Sequence, residues 1–140
     1  MKYKEVKRIK LVDLDPKMLY LAQKHPLLQK INHHSFDNPR VTIIVADAFT
    51  WLQTCNQKFD AIYIDFPDPT TYDLAKLYSF EFYSLVRHCV AADGFVAADL
   101  PAGESVLWNE YYSTLRAAGF EFIKPFDNLL ENQNEGYCKA

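Results

Sequence analysis

Phe59-Asp60-Ala61-Ile62-Tyr63-Ile64-Asp65-Phe66-Pro67-Asp68-Pro69 decides the fold class. Phe59 to Ile64 is a short, mostly apolar run of β-prone residues, too brief for a helix, and a proline-rich loop ends it. Asp65 and Asp68 therefore stand where a buried strand gives way to a loop. Open α/β sheets bind ligands outside the carboxyl ends of their strands. Proline fixes its own φ and restricts the residue before it, so the loop holds its two acids in a nearly set geometry. Two unit charges 4 Å apart interact by ~1 kcal/mol in water and ~4 kcal/mol near a protein surface. Two carboxylates held close repel each other unless a cation joins them, which suits a cationic ligand. The plainer description, a solvated loop with an Asp-Pro turn, fits the same residues.

Outward from this strand the chain alternates strand and helix. Arg8 to Leu14 reads as a buried strand, and Pro16 stands at a good first-turn position of the helix that follows. Met18, Leu19, Leu21 and Ala22, then Leu27, Leu28 and Ile31, form an apolar helical face that Pro26 kinks or breaks. Asn32 to Pro39 is a loop, Val41 to Val45 a strand, and Ala48 to Thr54 a short helix. Downstream, Ser79 caps a helix running to Val90. Ala92-Asp93-Gly94 is a turn, and Phe95 to Ala98 is another strand. Glu104 to Ala118 is a helix closed by Gly119, where a left-handed cap needs no Cβ. Phe120 to Ile123 and Gly136 to Lys139 are weaker strand candidates. The alternation predicts an α/β fold with a mostly parallel sheet and a C-terminal antiparallel edge.

At 140 residues, 49% of them hydrophobic, the chain is expected to be one domain with a two-sided core. A net charge of −3 leaves no electrostatic footprint for nucleic acid. Nothing approaches the ~20 apolar residues of a membrane span, and Lys2, Lys4, Glu5, Lys7 and Arg8 do not resemble a signal sequence. Cys55, Cys89 and Cys138 are widely spaced without any CxxC, which argues against zinc and for a reducing compartment. Cys89, close to Val86 and Val90, reads as a core filler. His33-His34, adjacent in a loop with no ligand pattern nearby, is a poor metal pair.

Two further acids end strands. Asp13 could accept from both ribose hydroxyls of a nucleotide, as acids after strands do in dinucleotide folds. Equally, Asp13 and Asp15 could serve the following helix, because Asp15-Pro16 resembles a cap and carboxylates favour that end of the dipole. Asp47 either accepts from an adenine amino group or merely caps the helix of Trp51 and Leu52.

In order along the chain come Leu11-Val12-Asp13-Leu14-Asp15-Pro16, Ser35-Phe36-Asp37-Asn38-Pro39-Arg40-Val41, Asp47-Ala48-Phe49, Asp65-Phe66-Pro67-Asp68-Pro69 and Leu77-Tyr78-Ser79-Phe80-Glu81-Phe82-Tyr83. Together they resemble the spermidine synthase (polyamine aminopropyltransferase) family, which has the fold of class I S-adenosylmethionine-dependent methyltransferases. The resemblance runs from about Val6 to Gly136 and is most specific at the acidic loop and the helix start after it. The proline-containing loop is similar to bacterial members, some of which carry a membrane segment ahead of this domain. The resemblance implies one partial domain over 1–140 with a Rossmann-like sheet, cytoplasmic and homo-oligomeric. It implies aminopropyl transfer from decarboxylated S-adenosylmethionine, a co-substrate, to a diamine such as putrescine, with no tightly bound cofactor and no metal.

The resemblance also implies roles. Asp13 matches the acid that holds the ribose hydroxyls of the donor, and Asp47, with Ala48 beside it, matches the adenine site. Asp65 matches the catalytic carboxylate that orients the attacking amine and takes its proton. Asp68 matches an acid that binds amine groups. The chemistry agrees, since sulfonium donor and diamine acceptor are both cationic. In-line displacement at carbon draws much of its rate from positioning.

The chain also departs from the family. A glycine-rich loop normally precedes the Asp13 strand, and the four glycines here are Gly94, Gly103, Gly119 and Gly136. That loop, the central strand before it and the small N-terminal β domain are expected to be missing, so that the 140 residues alone are inactive or very weak. The family's Tyr-Pro-Ser-Gly-like segment is replaced by Asn128 to Asn134, and its frequent glutamine after the Phe95 strand by Asp99, which could extend an amine site or cap the loop before Pro101. Two other readings stay open: a methyltransferase-like protein of the same fold, or a non-catalytic relative that survives through oligomerisation.

Overall fold

The structure, a computed structural model, describes residues 4–99 and 105–124, with the side chains of 105–107 left aside. It divides into two compact units, Met1–Trp51 and Leu52–Ala140. Strand β1 (Ile9–Asp13) opens the first unit, followed by α1 (Pro16–Lys24), α2 (Pro26–Ile31), a 3-10 turn at Ser35–Asp37 and β2 (Val41–Val45). Helix α3 (Ala48–Gln53) comes next, then β3 (Phe59–Ile64), α4 (Tyr72–Ala75), a 3-10 turn at Lys76–Tyr78, α5 (Phe80–Cys89), β4 (Val90–Ala98) and α6 (Ser105–Ala117).

In the first unit β1 and β2 run parallel, from Ile9 opposite Val41 to Asp13 opposite Val45. Pro26 breaks the helical run as expected: α1 ends at Lys24 and the proline opens α2, where its missing N–H costs nothing. His33 and His34 turn the chain with φ of 51° and 55°. Strand β1 is more exposed than its apolar sequence predicts, with Leu11 and Val12 half-buried and Ile9 exposed. Its ladder is made to β2 alone among the described residues.

The second unit is built around α5. Ser79 caps it, its hydroxyl accepting from the Phe82 amide at 3.2 Å. Phe82, Tyr83, Val86 and Cys89 follow at helical spacing and are almost wholly buried. Tyr111, Leu115 and Ala118 present the matching face of α6 and its end, and Phe120 closes the cluster. The rings of Tyr83 and Tyr111 meet edge to face at 5.5 Å, and their hydroxyls lie 2.5 Å apart. Gly119 ends the helix with φ of 92°, as a left-handed cap requires.

Strands β3 and β4 are also parallel, and here the structure corrects the sequence. Ala92-Asp93-Gly94, expected as a turn, lies inside one continuous strand. Phe59 faces Val90 and Ala61 faces Phe95, so β4 uses five steps where β3 uses two, and the surplus bulges. Gly94 makes the bulge possible, because a Cβ there would stand 2.9 Å from the Asp60 carbonyl oxygen and 3.0 Å from that of Phe59. Phe120 to Ile123, expected as a strand, forms no ladder, and Gly136 to Lys139 lies outside the described residues. Both ladders are parallel, β1 with β2 and β3 with β4, and Asp99 and Lys124 each make a single bridge outside them.

Candidate active site

Each predicted acid stands at the carboxyl end of a parallel strand. Asp13 is the last residue of β1 and Asp47 lies two beyond the end of β2, on the same rim of that sheet, where the Ala46 amide donates to the Asp13 carbonyl at 3.0 Å. The capping roles separate cleanly here. Asp15 is the N-cap of α1, its Oδ1 accepting from the Lys17 amide at 2.8 Å and the Met18 amide at 3.4 Å. The Asp13 side chain is turned to the Asp15 amide instead, at 2.8 Å. Asp47 does cap α3, its Oδ1 accepting from the Thr50 amide at 2.8 Å and the Thr50 hydroxyl at 3.0 Å. Ala48 is the first residue of that helix.

The second rim carries the acidic loop. Asp65 follows β3 directly and Asp99 follows β4 directly. Because Ile64 faces Ala98, and the Asp99 amide donates to the Ile64 carbonyl at 3.2 Å, Asp65 and Asp99 are neighbours across the ladder end. Asp65 and Asp68 are both exposed, as a pair that meets a ligand from solvent must be. Between them Phe66 turns inward, its ring 5.5 Å from that of Phe82 in the core and 6.4 Å from that of Tyr78.

Tyr78 is the residue that reading the sequence missed. Its one hydroxyl hydrogen is shared between the carbonyls of Phe66 at 3.3 Å and Pro67 at 3.1 Å, both in the acidic loop. Burial pushes its phenol up to about 12, helped by the charges of Asp68, Asp99 and Asp65. All three carboxylates are thus within electrostatic reach of one hydroxyl, and that hydroxyl stays protonated, a donor, throughout the neutral range. The sequence shows it only as one member of the Leu77-Tyr78-Ser79-Phe80-Glu81-Phe82-Tyr83 motif, with no role of its own.

The arrangement therefore has two carboxylate-bearing rims, one of Asp13 and Asp47, the other of Asp65, Asp68 and Asp99. A family model described as the spermine/spermidine synthase domain matches residues 1–124. The chain belongs to this family. Polyamine aminopropyltransferase 1 of Streptomyces coelicolor is 49% identical to it over 96 residues, which are 69% of this chain and 18% of the relative. A solved spermidine synthase in complex with the transition state analogue AdoDATO superposes with a TM-score of 0.78 at 21% identity, over 99% of this chain and 47% of that one. Human methyltransferase-like protein 13 in complex with SAH gives 0.72 at 18% identity, over 95% and 60%. At such identities these two likenesses speak for the fold, which is the Rossmann-like one shared by spermidine synthases and methyltransferases. The spermine/spermidine synthase domain here thus spans less than half the length of either the Streptomyces relative or the solved synthase. No helix among the described residues is long and apolar enough to cross a membrane, and no group of three or more His, Cys, Asp or Glu there could hold a metal ion.

Proposed function

We propose that this chain is the donor- and amine-binding part of a polyamine aminopropyltransferase, moving an aminopropyl group from decarboxylated S-adenosylmethionine to a diamine such as putrescine. The observation that carries this is the Asp65–Asp68 loop, two exposed carboxylates on a proline-stiffened turn at a strand's carboxyl end, in a member of this family. The donor is a sulfonium. As the amine nitrogen attacks the carbon beside sulfur, the C–N bond forms, the C–S bond breaks, and methylthioadenosine leaves as a neutral thioether. Asp65 orients the amine and takes the proton released by C–N bond formation. Asp68 holds the ammonium at the other end of the acceptor. Asp13 receives the ribose hydroxyls, and Asp47 with Ala48 receives the adenine.

The protein is further read as a cytoplasmic homo-oligomer. Its two described cysteines are free, as in a reducing compartment, and Leu14, Met18, Tyr20 and Ile31 in the first unit expose apolar surface that a partner subunit would cover.

Calorimetric titration of the chain with putrescine tests the reading, with D65N as comparison. A charge-assisted hydrogen bond of ~1.5–3 kcal/mol makes D65N bind putrescine about 10- to 100-fold more weakly. Saturable binding of S-adenosylhomocysteine without any diamine binding would favour the methyltransferase reading. Equal affinity of the two proteins for putrescine would remove Asp65 from the amine site.

A further inference from the structure

Pro67 fixes its own φ and holds Phe66, the residue before it, to extended torsions, but the ψ of Pro67, a rotation that lies between the two acids, stays open. Prolines also lack an N–H, so the loop has few donors of its own; the Thr70 amide donates to the Asp68 carbonyl within it at 2.7 Å. A carbonyl's direction reports the ψ of its residue. A single hydroxyl reaching both the Phe66 and Pro67 carbonyls therefore holds the open Pro67 torsion against the peptide that Pro67 already restrains. That hydroxyl is itself fixed. The Tyr78 ring packs against Phe66, and against Tyr111 at 6.2 Å, which in turn meets the fully buried Tyr83. A chain of aromatic contacts thus links the loop to the core of the second unit.

We infer that Tyr78 is the positioning residue of this site, its hydroxyl clasping the Phe66 and Pro67 carbonyls so that Asp65 and Asp68 stand at one set separation and select a diamine by length. The inference rests on the amine-binding reading above and goes beyond it, assigning the selectivity to a side chain that touches neither amine. Burial, with the three carboxylates nearby, keeps the phenol protonated, and so keeps the clasp closed at the pH where diamines are charged.

The test uses the full chain and Y78F, which removes the hydroxyl and keeps the ring contacts. Two readouts are taken: amide resonances of Asp65, Phe66, Asp68 and Thr70, and calorimetric affinities for diaminopropane, putrescine and cadaverine. In Y78F the Phe66 and Asp68 amides are expected to shift and broaden while those of α5 stay put. The affinity for the preferred diamine falls about 3- to 10-fold, the worth of one neutral hydrogen bond, and the preference among the three lengths flattens. A side chain that merely stabilised the fold would leave that preference intact. Unchanged loop amides with an unchanged length preference overturn the inference. If the wild-type chain binds no diamine, the amine-site reading fails and takes the selectivity with it, while the loop amides still decide the clasp.

Discussion

Replacing Gly94 with alanine tests whether the β3–β4 bulge depends on close backbone approach. The new Cβ would stand 2.9 Å from the Asp60 oxygen, 3.0 Å from the Phe59 oxygen and 3.0 Å from a Val90 methyl. Two of those three atoms are backbone, so no rotamer change relieves the contact and the strands must part by a few tenths of an ångström. Overpacking of this kind costs ~1–3 kcal/mol, and the reduced freedom of the unfolded chain returns ~0.4–1 kcal/mol. The net expectation is a loss of about 1–2 kcal/mol, equivalent to a fall in Tm of roughly 3–7 °C. Near-UV circular dichroism reports it best, because the Tyr83–Tyr111 cluster belongs to the same unit as the bulge. Asp93→Ala, at the exposed neighbouring position, is the control and should change stability by less than about 0.5 kcal/mol. A G94A protein as stable as the control would show that the strands do not approach this closely. The register would then need another explanation, and with it the placing of Asp65 beside Asp99.

Tyr83→Phe removes one hydroxyl of the buried pair and should cost about 1–2 kcal/mol by urea denaturation, with the Y83F/Y111F double variant losing less than the two singles combined; strict additivity would mean the hydroxyls do not interact. Tyr78 makes stability depend on alkaline pH. Its folded value of about 12 lies above the ordinary 10.0, so its contribution is complete below pH 10 and is lost as pH climbs toward 12. Urea midpoints of the wild type should therefore fall more steeply than those of Y78F across that window, and parallel slopes would contradict the burial and the charges assigned to it.

Much of the fold was legible because its determinants are local. Pro26 broke one helix and opened the next, Ser79 capped α5, and Gly119 took the positive φ that ended α6. Strands β1, β2 and β3 fell where apolar runs of strand length predicted them. Ala92-Asp93-Gly94 reads as a turn because a glycine next to an aspartate is the ordinary mark of one. Here the glycine serves a contact with Asp60 and Phe59, over thirty positions away in the chain, and no local signal carries that. The apolar character of β1 likewise overstated its burial.

The candidate site divides along the same line. Asp13, Asp47, Asp65 and Asp68 could be picked out in sequence because an acid at the carboxyl end of a predicted strand needs only the strand to be placed. Whether Asp13 or Asp15 served the helix could not be decided that way, since both lie within reach of its first turn; the coordinates give the cap to Asp15. The composition and motifs by themselves determined an α/β chain with acids at its strand ends. Only the tertiary structure brought Tyr78 under the Phe66 and Pro67 carbonyls and set Asp99 beside Asp65, because those neighbours depend on how α5 packs and how β4 registers on β3, and a contact between residues distant in sequence leaves no periodic trace in either segment.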